Sequence, residues 1–185
     1  MPSLHLIRHG ETTSNVMRRL DTALPGAALT DLGARQGVRF GLEQPPAGSA
    51  VLYHSPAARA QQTAELIGSV WGVRPAVVTG VHEVQAGDLE DRTDDEAYEA
   101  FRDVVRRWHD GERDAALPGG ESYTMLLERY LPAVDGIVRQ HLSQSGDGAD
   151  VYLVSHGTAI RLVAAELAGV DRAFAAQTHL RNTDS

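Results

Sequence analysis

The chain writes one pattern twice, near each end: a short apolar run, then His-Gly, then hydroxyl side chains. Leu4-His5-Leu6-Ile7 passes through Arg8 into His9-Gly10-Glu11-Thr12, and Val151-Tyr152-Leu153-Val154 passes through Ser155 into His156-Gly157-Thr158. Runs this short, stopped by a glycine turn, do not make a helix and fit a strand covered on both faces. Residues 4–7 are therefore predicted as a central strand and residues 151–154 as a second strand of the same kind. Two more short strands are predicted between them, at 50–53 and 76–78.

Helical signals fill the intervals. Thr30-Asp31 opens a helix of about a dozen residues, with Leu32, Gln36 and Phe40 along one side and Pro45-Pro46 beyond its end. Ser55-Pro56 reads as N-cap and first helical position of a helix whose inner face is Ala60, Ala64, Ile67 and Trp71. Ala97, Phe101, Val104, Val105 and Trp108 mark an amphipathic helix within a charged segment, 87–117, which serves as a lid or flank. After the break Leu117-Pro118-Gly119-Gly120 comes a long helix with Leu126, Leu127, Tyr130, Val134, Ile137 and Val138 inward; Pro132 predicts a kink or a restarted turn there. Gly146 to Gly148 closes it. A last helix carries Ile160, Val163, Ala164 and Leu167. Residues 16–28 show no period, and Leu24-Pro25-Gly26 is a turn in an irregular surface segment.

Strands alternating with helices give an α/β fold: a three-layer α/β/α sandwich around a central, mostly parallel sheet. At 185 residues and 42% hydrophobic the chain makes one domain, 1–185. A net charge of -8 argues against a nucleic-acid or anionic-membrane partner. The absence of cysteine excludes disulfide and thiol chemistry. No signal core and no apolar run near the roughly 18 residues of a membrane span is present, so a cytoplasmic location is the default.

Ligands of such sheets sit beyond the carboxyl ends of the strands. Four groups arrive there by position: Arg8 and His9 after strand one, Arg59 in the first turn of the helix after strand two, and His156 after strand four. An arginine opposes the dipole at a helix N-terminus, which makes sense if an anion lies between them. Two guanidinium forks and two imidazoles suit a tetrahedral dianion, and phosphate is the natural choice. Glu83, after strand three, supplies a proton donor and acceptor for the leaving oxygen. Taken singly, each residue has an ordinary reading: capping for Thr12, Thr13 and Ser14, structural for a strand-end histidine, surface for Arg59 and Glu83. Independent surface residues need not fall at successive strand ends. Metal chemistry fits less well: no His-Glu-x-x-His is present and His109-Asp110 stands without companions. His5 carries no assignment, and His54, His82, His141 and His179 are assigned to structural or solvent roles.

Together Arg8-His9-Gly10-Glu11-Thr12 with Asn15, Leu29-Thr30-Asp31-Leu32-Gly33, Ser55-Pro56-Ala57-Ala58-Arg59 through Thr63-Ala64, Glu83, Pro118-Gly119-Gly120-Glu121-Ser122 and Ser155-His156-Gly157-Thr158 resemble the histidine phosphatase superfamily, in its order over most of the chain. The resemblance implies a phosphoglycerate mutase-like fold and transient phosphorylation of His9, with the Gly10 carbonyl holding the other ring nitrogen. It implies that Arg8, Asn15, Arg59 and His156 bind the phosphoryl group, helped by the Gly157 amide, and that Glu83 protonates the departing alkoxide and then activates water. No metal or cofactor is implied, and the partner is a small phosphorylated metabolite. The chain departs from the family at Leu20-Asp21-Thr22, often Gln-Gly, and at Asp91, where glycine commonly follows Glu90. The 87–117 segment is shorter than the insertion of the mutases, which favours a phosphatase. Phosphoglycerate mutase-type transfer and a non-catalytic phospho-ligand binding module remain as alternatives. Arg106 and Arg107 are candidates for a second anionic group, though paired arginines on a charged helix are more often solvated. After Asn182 the family continues into another strand, so either that edge is lacking or the sequence is incomplete.

Overall fold

A computed structural model describes residues 2–142, 148–169 and 180–185. Four strands, β1 (Leu4–Arg8), β2 (Ala50–His54), β3 (Ala76–Val77) and β4 (Asp150–Ser155), form one sheet in the order β1-β4-β2-β3, every pair parallel. Between and after them lie α1 (Thr13–Val16), α2 (Asp31–Glu43), α3 (Ala58–Trp71), α4 (Asp95–His109), α5 (Tyr123–His141) and α6 (Gly157–Ala168).

Side chains alternate across a strand, and β4 shows the consequence. Val151 and Leu153 join a core with residues of α4, α5 and α6, while Tyr152 and Val154 join a second core with Phe40 of α2 and Ala60, Ala64 and Ile67 of α3. The sheet thus lies between two helical layers. Each fully buried aliphatic side chain, such as Ile67 or Leu153, contributes roughly 1.5–3 kcal/mol against leaving it in water.

Several sequence expectations shift. Among the described residues β4 is central and β1 stands at one end of the strand order; only Ile7 of β1 is buried, and an apolar run cannot by itself report how many neighbours it has. Its outer edge is met at Arg8, whose N–H donates to the Asp184 carbonyl (3.0 Å) and whose carbonyl accepts from Thr183 (2.9 Å). Leu32 is 44% exposed, because α2 turns Gly33, Gly37, Phe40 and Gly41 inward instead. These glycines let the backbone come close: a Cβ at Gly41 would lie 2.9 Å from Val70 Cβ and one at Gly33 only 2.0 Å from the Glu11 carbonyl oxygen.

Ser55 does not cap α3, which starts at Ala58 with Ala57 as an N-cap that makes no side-chain bond. The Ser55 hydroxyl accepts from the Ala57 amide at 3.3 Å, short of the first turn, and lies 2.8 Å from His156 Nε2. Leu167 is 41% exposed. α5 passes through Pro132 as a single helix without restarting, its buried residues Tyr130 and Val134 lying on either side. The glycine stop at Gly146 lies outside the described residues, as does His179. No described helix is long and apolar enough to cross a membrane.

Candidate active site

A cleft of about 290 Å³ opens beyond the carboxyl ends of β1 and β4, lined among others by Arg8, His9, Asn15, Asp21, Arg59, Glu83 and Gly157. Each arrives from a different turn. Arg8 is the last residue of β1 and His9 the next; His156 follows β4 and is the N-cap of α6; Arg59 is the second residue of α3.

His9 is held at both nitrogens. Nδ1 lies 2.7 Å from the Gly10 carbonyl oxygen, so that nitrogen carries the proton, and Nε2 accepts from Arg59 Nε at 3.2 Å. Thr63 fixes the relation between the two segments: its hydroxyl donates to the Arg59 carbonyl (2.7 Å) and accepts from Gly10 N–H (3.0 Å). Burial lowers the His9 pKa well below the ordinary imidazole value, and Arg59 and then Arg8 push it the same way, with the Gly10 bond opposing. His9 is therefore neutral, with its lone pair on Nε2.

His156 is fully buried, its ring centroid 5.3 Å from that of His9. Its pKa is lowered well below the usual value too, by burial first and Arg59 next. Three buried nitrogens here have no hydrogen-bond partner: Arg8 Nε, Arg59 Nη1 and His156 Nδ1. Buried polar atoms are rarely left so; Arg8 and Arg59 line the cleft and His156 lies behind His9, an arrangement that a multiply bonding anion satisfies. The Arg8 fork is steadied by its Nη1 bond to the Leu180 carbonyl, 2.6 Å.

Asn15 sits on the exposed rim, where it completes a capping box with Thr12: each backbone N–H is bonded by the other's side chain at 3.1 Å. With Oδ1 so engaged, its Nδ2 is the group left for a ligand. Gly157 meets Arg8 closely, since a Cβ there would stand 3.1 Å from Arg8 Nε.

Glu83 reaches the cleft from the loop after β3. Its Oε1 accepts from the amides of Val84 and Ala159 (both 2.9 Å), and its Oε2 accepts from Thr158 alone (3.1 Å). Oε2 is thus the less committed oxygen. The loop is clamped by Arg129 of α5, which donates to the carbonyls of Gly80, His82 and Glu83 while gripping both Glu121 carboxylate oxygens at 2.7 Å. Glu121 in turn accepts from the Gln85 amide (2.9 Å). The Pro-Gly-Gly-Glu-Ser run, read in the sequence as a break and as part of the family resemblance, therefore supports the loop that carries Glu83.

The 16–28 segment is irregular as expected, and Leu20, Asp21 and Thr22, singled out in the sequence as a departure from the family pattern, form a wall of the cleft. Sequence reasoning missed what holds that wall and which residues complete the mouth. Glu90 holds that wall by accepting from the Thr22 and Ala23 amides at 2.8 and 2.9 Å. Asp91 has φ 63°, the left-handed region glycine favours and aspartate tolerates. Asn182 donates to the His9 carbonyl at 2.9 Å. Tyr98, Phe101 and Arg102 of α4 and Arg161 of α6 complete the mouth, whereas Arg106 and Arg107 pair with Asp103 and Glu112 away from it. Three of the other histidines meet protein partners: His54 Nδ1 the Ser55 carbonyl (2.8 Å), His141 Nε2 the Tyr53 hydroxyl (2.7 Å), and His5 the Tyr152 ring, stacked at 4.4 Å. Among the described residues no three His, Asp or Glu side chains converge in a way that could hold a metal ion.

Comparison with known proteins agrees with this geometry. The family model described as histidine phosphatase superfamily (branch 1) matches residues 4–185. A protein of Salmonella paratyphi C described as "Probable phosphoglycerate mutase GpmB" is 29% identical over 182 residues, covering 98% of this chain and 82% of that one. A mycobacterial glucosyl-3-phosphoglycerate phosphatase, solved with VO3, is 27% identical with a TM-score of 0.79, covering 99% of this chain and 90% of that one. Bacillus stearothermophilus YhfR shares the fold at a TM-score of 0.78 and 24% identity, covering 99% and 88%.

Proposed function

Because the chain belongs to the histidine phosphatase superfamily, branch 1, a group of phosphatases and phosphoryl-transferring mutases, we propose that it hydrolyses a small phosphomonoester metabolite through phosphohistidine at His9. The observation that carries this is the neutral His9, its Nε2 lone pair facing the cleft beside three buried nitrogens that lack partners.

The phosphoryl oxygens take the Arg8, Arg59 and His156 nitrogens, with the Asn15 amide and the Gly157 N–H at the rim. Arg59 Nε turns from His9 to phosphate, which frees Nε2 to attack phosphorus. The N–P bond forms as the P–O bond to the alcohol breaks, and Glu83 Oε2 gives its proton to the departing oxygen. In the second step Glu83 takes a proton from water, the resulting hydroxide attacks phosphorus, and the N–P bond breaks to release inorganic phosphate. Positioning and charge stabilisation do the catalysis without a metal. The relative described as a glucosyl-3-phosphoglycerate phosphatase supports the hydrolytic reading.

The relative described as a phosphoglycerate mutase supports a second reading, in which phospho-His9 returns its phosphoryl group to an acceptor. One experiment addresses both. The chain is pulsed with a labelled aryl phosphate, quenched in alkali to preserve phosphohistidine, and chased with water alone or with phosphorylated hydroxy acids. Label on His9 that leaves as inorganic phosphate regardless of acceptor supports hydrolysis, and label recovered on the acceptor supports the mutase. Phosphate release by His9→Ala at parental rates would sink both, and a parent chain that binds phosphate without turnover would leave a binding pocket.

A further inference from the structure

Asp21 lies in the Leu20-Asp21-Thr22 stretch, where the superfamily often has a Gln-Gly pair, and the two-step hydrolysis gives it no task. Its carboxylate is 13% exposed within the cleft wall, with Oδ2 3.7 Å from Nη1 of Arg59, itself 3% exposed. That is ion-pair contact but beyond hydrogen-bond reach, which is why Arg59 Nη1 still lacks a partner.

The carboxylate is not free to swing away. Oδ2 accepts from the Ala27 amide at 2.9 Å, and the turn it closes is pinned to the start of α3 by the Ala58 amide, which donates to the Pro25 carbonyl at 2.8 Å. At Gly26, with φ 70°, a Cβ would stand 2.3 Å from Arg59 Nη1 and 3.0 Å from Asp21 Oδ1. Only glycine lets the turn lie this close to the guanidinium. Upstream, Glu90 fixes the neighbouring Thr22 and Ala23 amides.

A fixed negative charge beside a phosphate-binding arginine acts in two directions. It holds the fork in place, and it opposes any dianion that the fork binds, with an energy that falls only as the inverse of distance in a poorly solvated cleft. We infer that Asp21 is a positioning and charge-balancing residue: it holds Arg59 with Nε on His9 and weakens the grip of the pocket on inorganic phosphate, so that product leaves. The inference rests on the phosphatase reading of this cleft. It gives the Gln-Gly departure a purpose, since a glutamine there would hold no charge. Product release limits turnover in many enzymes, and this site sets a buried Arg59 and a half-buried Arg8 against the product.

The test compares the parent chain with Asp21→Asn and Asp21→Ser, both of which remove the charge and keep an acceptor for the Ala27 amide. Inorganic phosphate is titrated into each by calorimetry, with thermal unfolding recorded alongside. Both variants should bind phosphate about ten-fold more tightly than the parent, and phosphate should inhibit their turnover at correspondingly lower concentration. Damage to the turn would loosen binding, so the direction separates charge balance from a structural role. A folded variant whose phosphate affinity is unchanged or weaker overturns the inference. Aryl phosphate turnover by the parent combined with that result would leave the phosphatase reading standing; tighter phosphate binding by the variants of an inactive parent would do the reverse.

Discussion

Arg59 donates its Nε–H to His9 Nε2 across 3.2 Å, so the cation that prepares the site also covers the lone pair that would attack phosphorus. A donor on Nε2 and the Gly10 carbonyl on Nδ1 leave the imidazole one tautomer, neutral with its proton on Nδ1. Nucleophile and phosphate site are thus one hydrogen-bonded unit, and a ligand enters by taking Arg59 from His9.

The buried neutral histidines make stability depend on pH. His9 and His156 are both shifted well below the ordinary value, by burial and then by Arg59. The unfolded chain protonates them near pH 6.5, where the folded chain does not, so stability is full above that pH and falls as pH drops through it. The slope is at most about 1.4 kcal/mol per pH unit for each histidine. Unfolding temperatures measured from pH 7 to 5 should fall, and His9→Gln should flatten the curve. An identical slope in that variant would remove His9 from the account.

Glu83→Gln removes the proton donor. Alkyl phosphates, which need their leaving oxygen protonated, should lose about 10²–10⁴-fold in kcat, and aryl phosphates with acidic leaving groups far less. The slope of log kcat against leaving-group pKa is the measurement. Parallel losses across the series would mean that Glu83 only supports the Thr158 and Ala159 amides.

Arg129→Met breaks the clamp on the 80–83 loop and strands the Glu121 carboxylate, 8% exposed, without its partner. Removing one member of such a pair costs about 3–5 kcal/mol. In a chain of this size that corresponds to a fall in Tm of roughly 10 °C. A loss below about 2 °C by calorimetry would contradict the clamp.

Gly33→Ala would place a Cβ 2.0 Å from the Glu11 carbonyl oxygen, one residue beyond Gly10. Backbone must move, at about 1–3 kcal/mol. Because the Gly10 carbonyl orients His9, kcat should fall with Tm, whereas Gly72→Ala, with nothing within 4 Å though left-handed at φ 69°, should lower Tm alone.

The sequence by itself determined what depends on near neighbours. The four strands appear within a residue or two of expectation, because an apolar run closed by a turn is a local signal. Thr30 caps α2, with its side chain 3.0 Å from the Gly33 amide, for the same reason. Arg8, His9, Arg59, Glu83 and Gly157 reach one cleft because parallel strands deliver the residues at their carboxyl ends to the same edge. What only the tertiary structure decided depends on distant partners. Among the described residues β1 stands at the end of the strand order, because strand neighbours come from pairing, not pattern. Ser55 bonds the Ala57 amide outside the helix and also meets His156, 101 residues away, and Leu32 yields the inner face of α2 to glycines that Val70 and Glu11 approach. Asp21 lay in a segment without periodicity, and no local rule reports that its turn closes against Arg59, so its charge acquired meaning only once the chain had brought the two together.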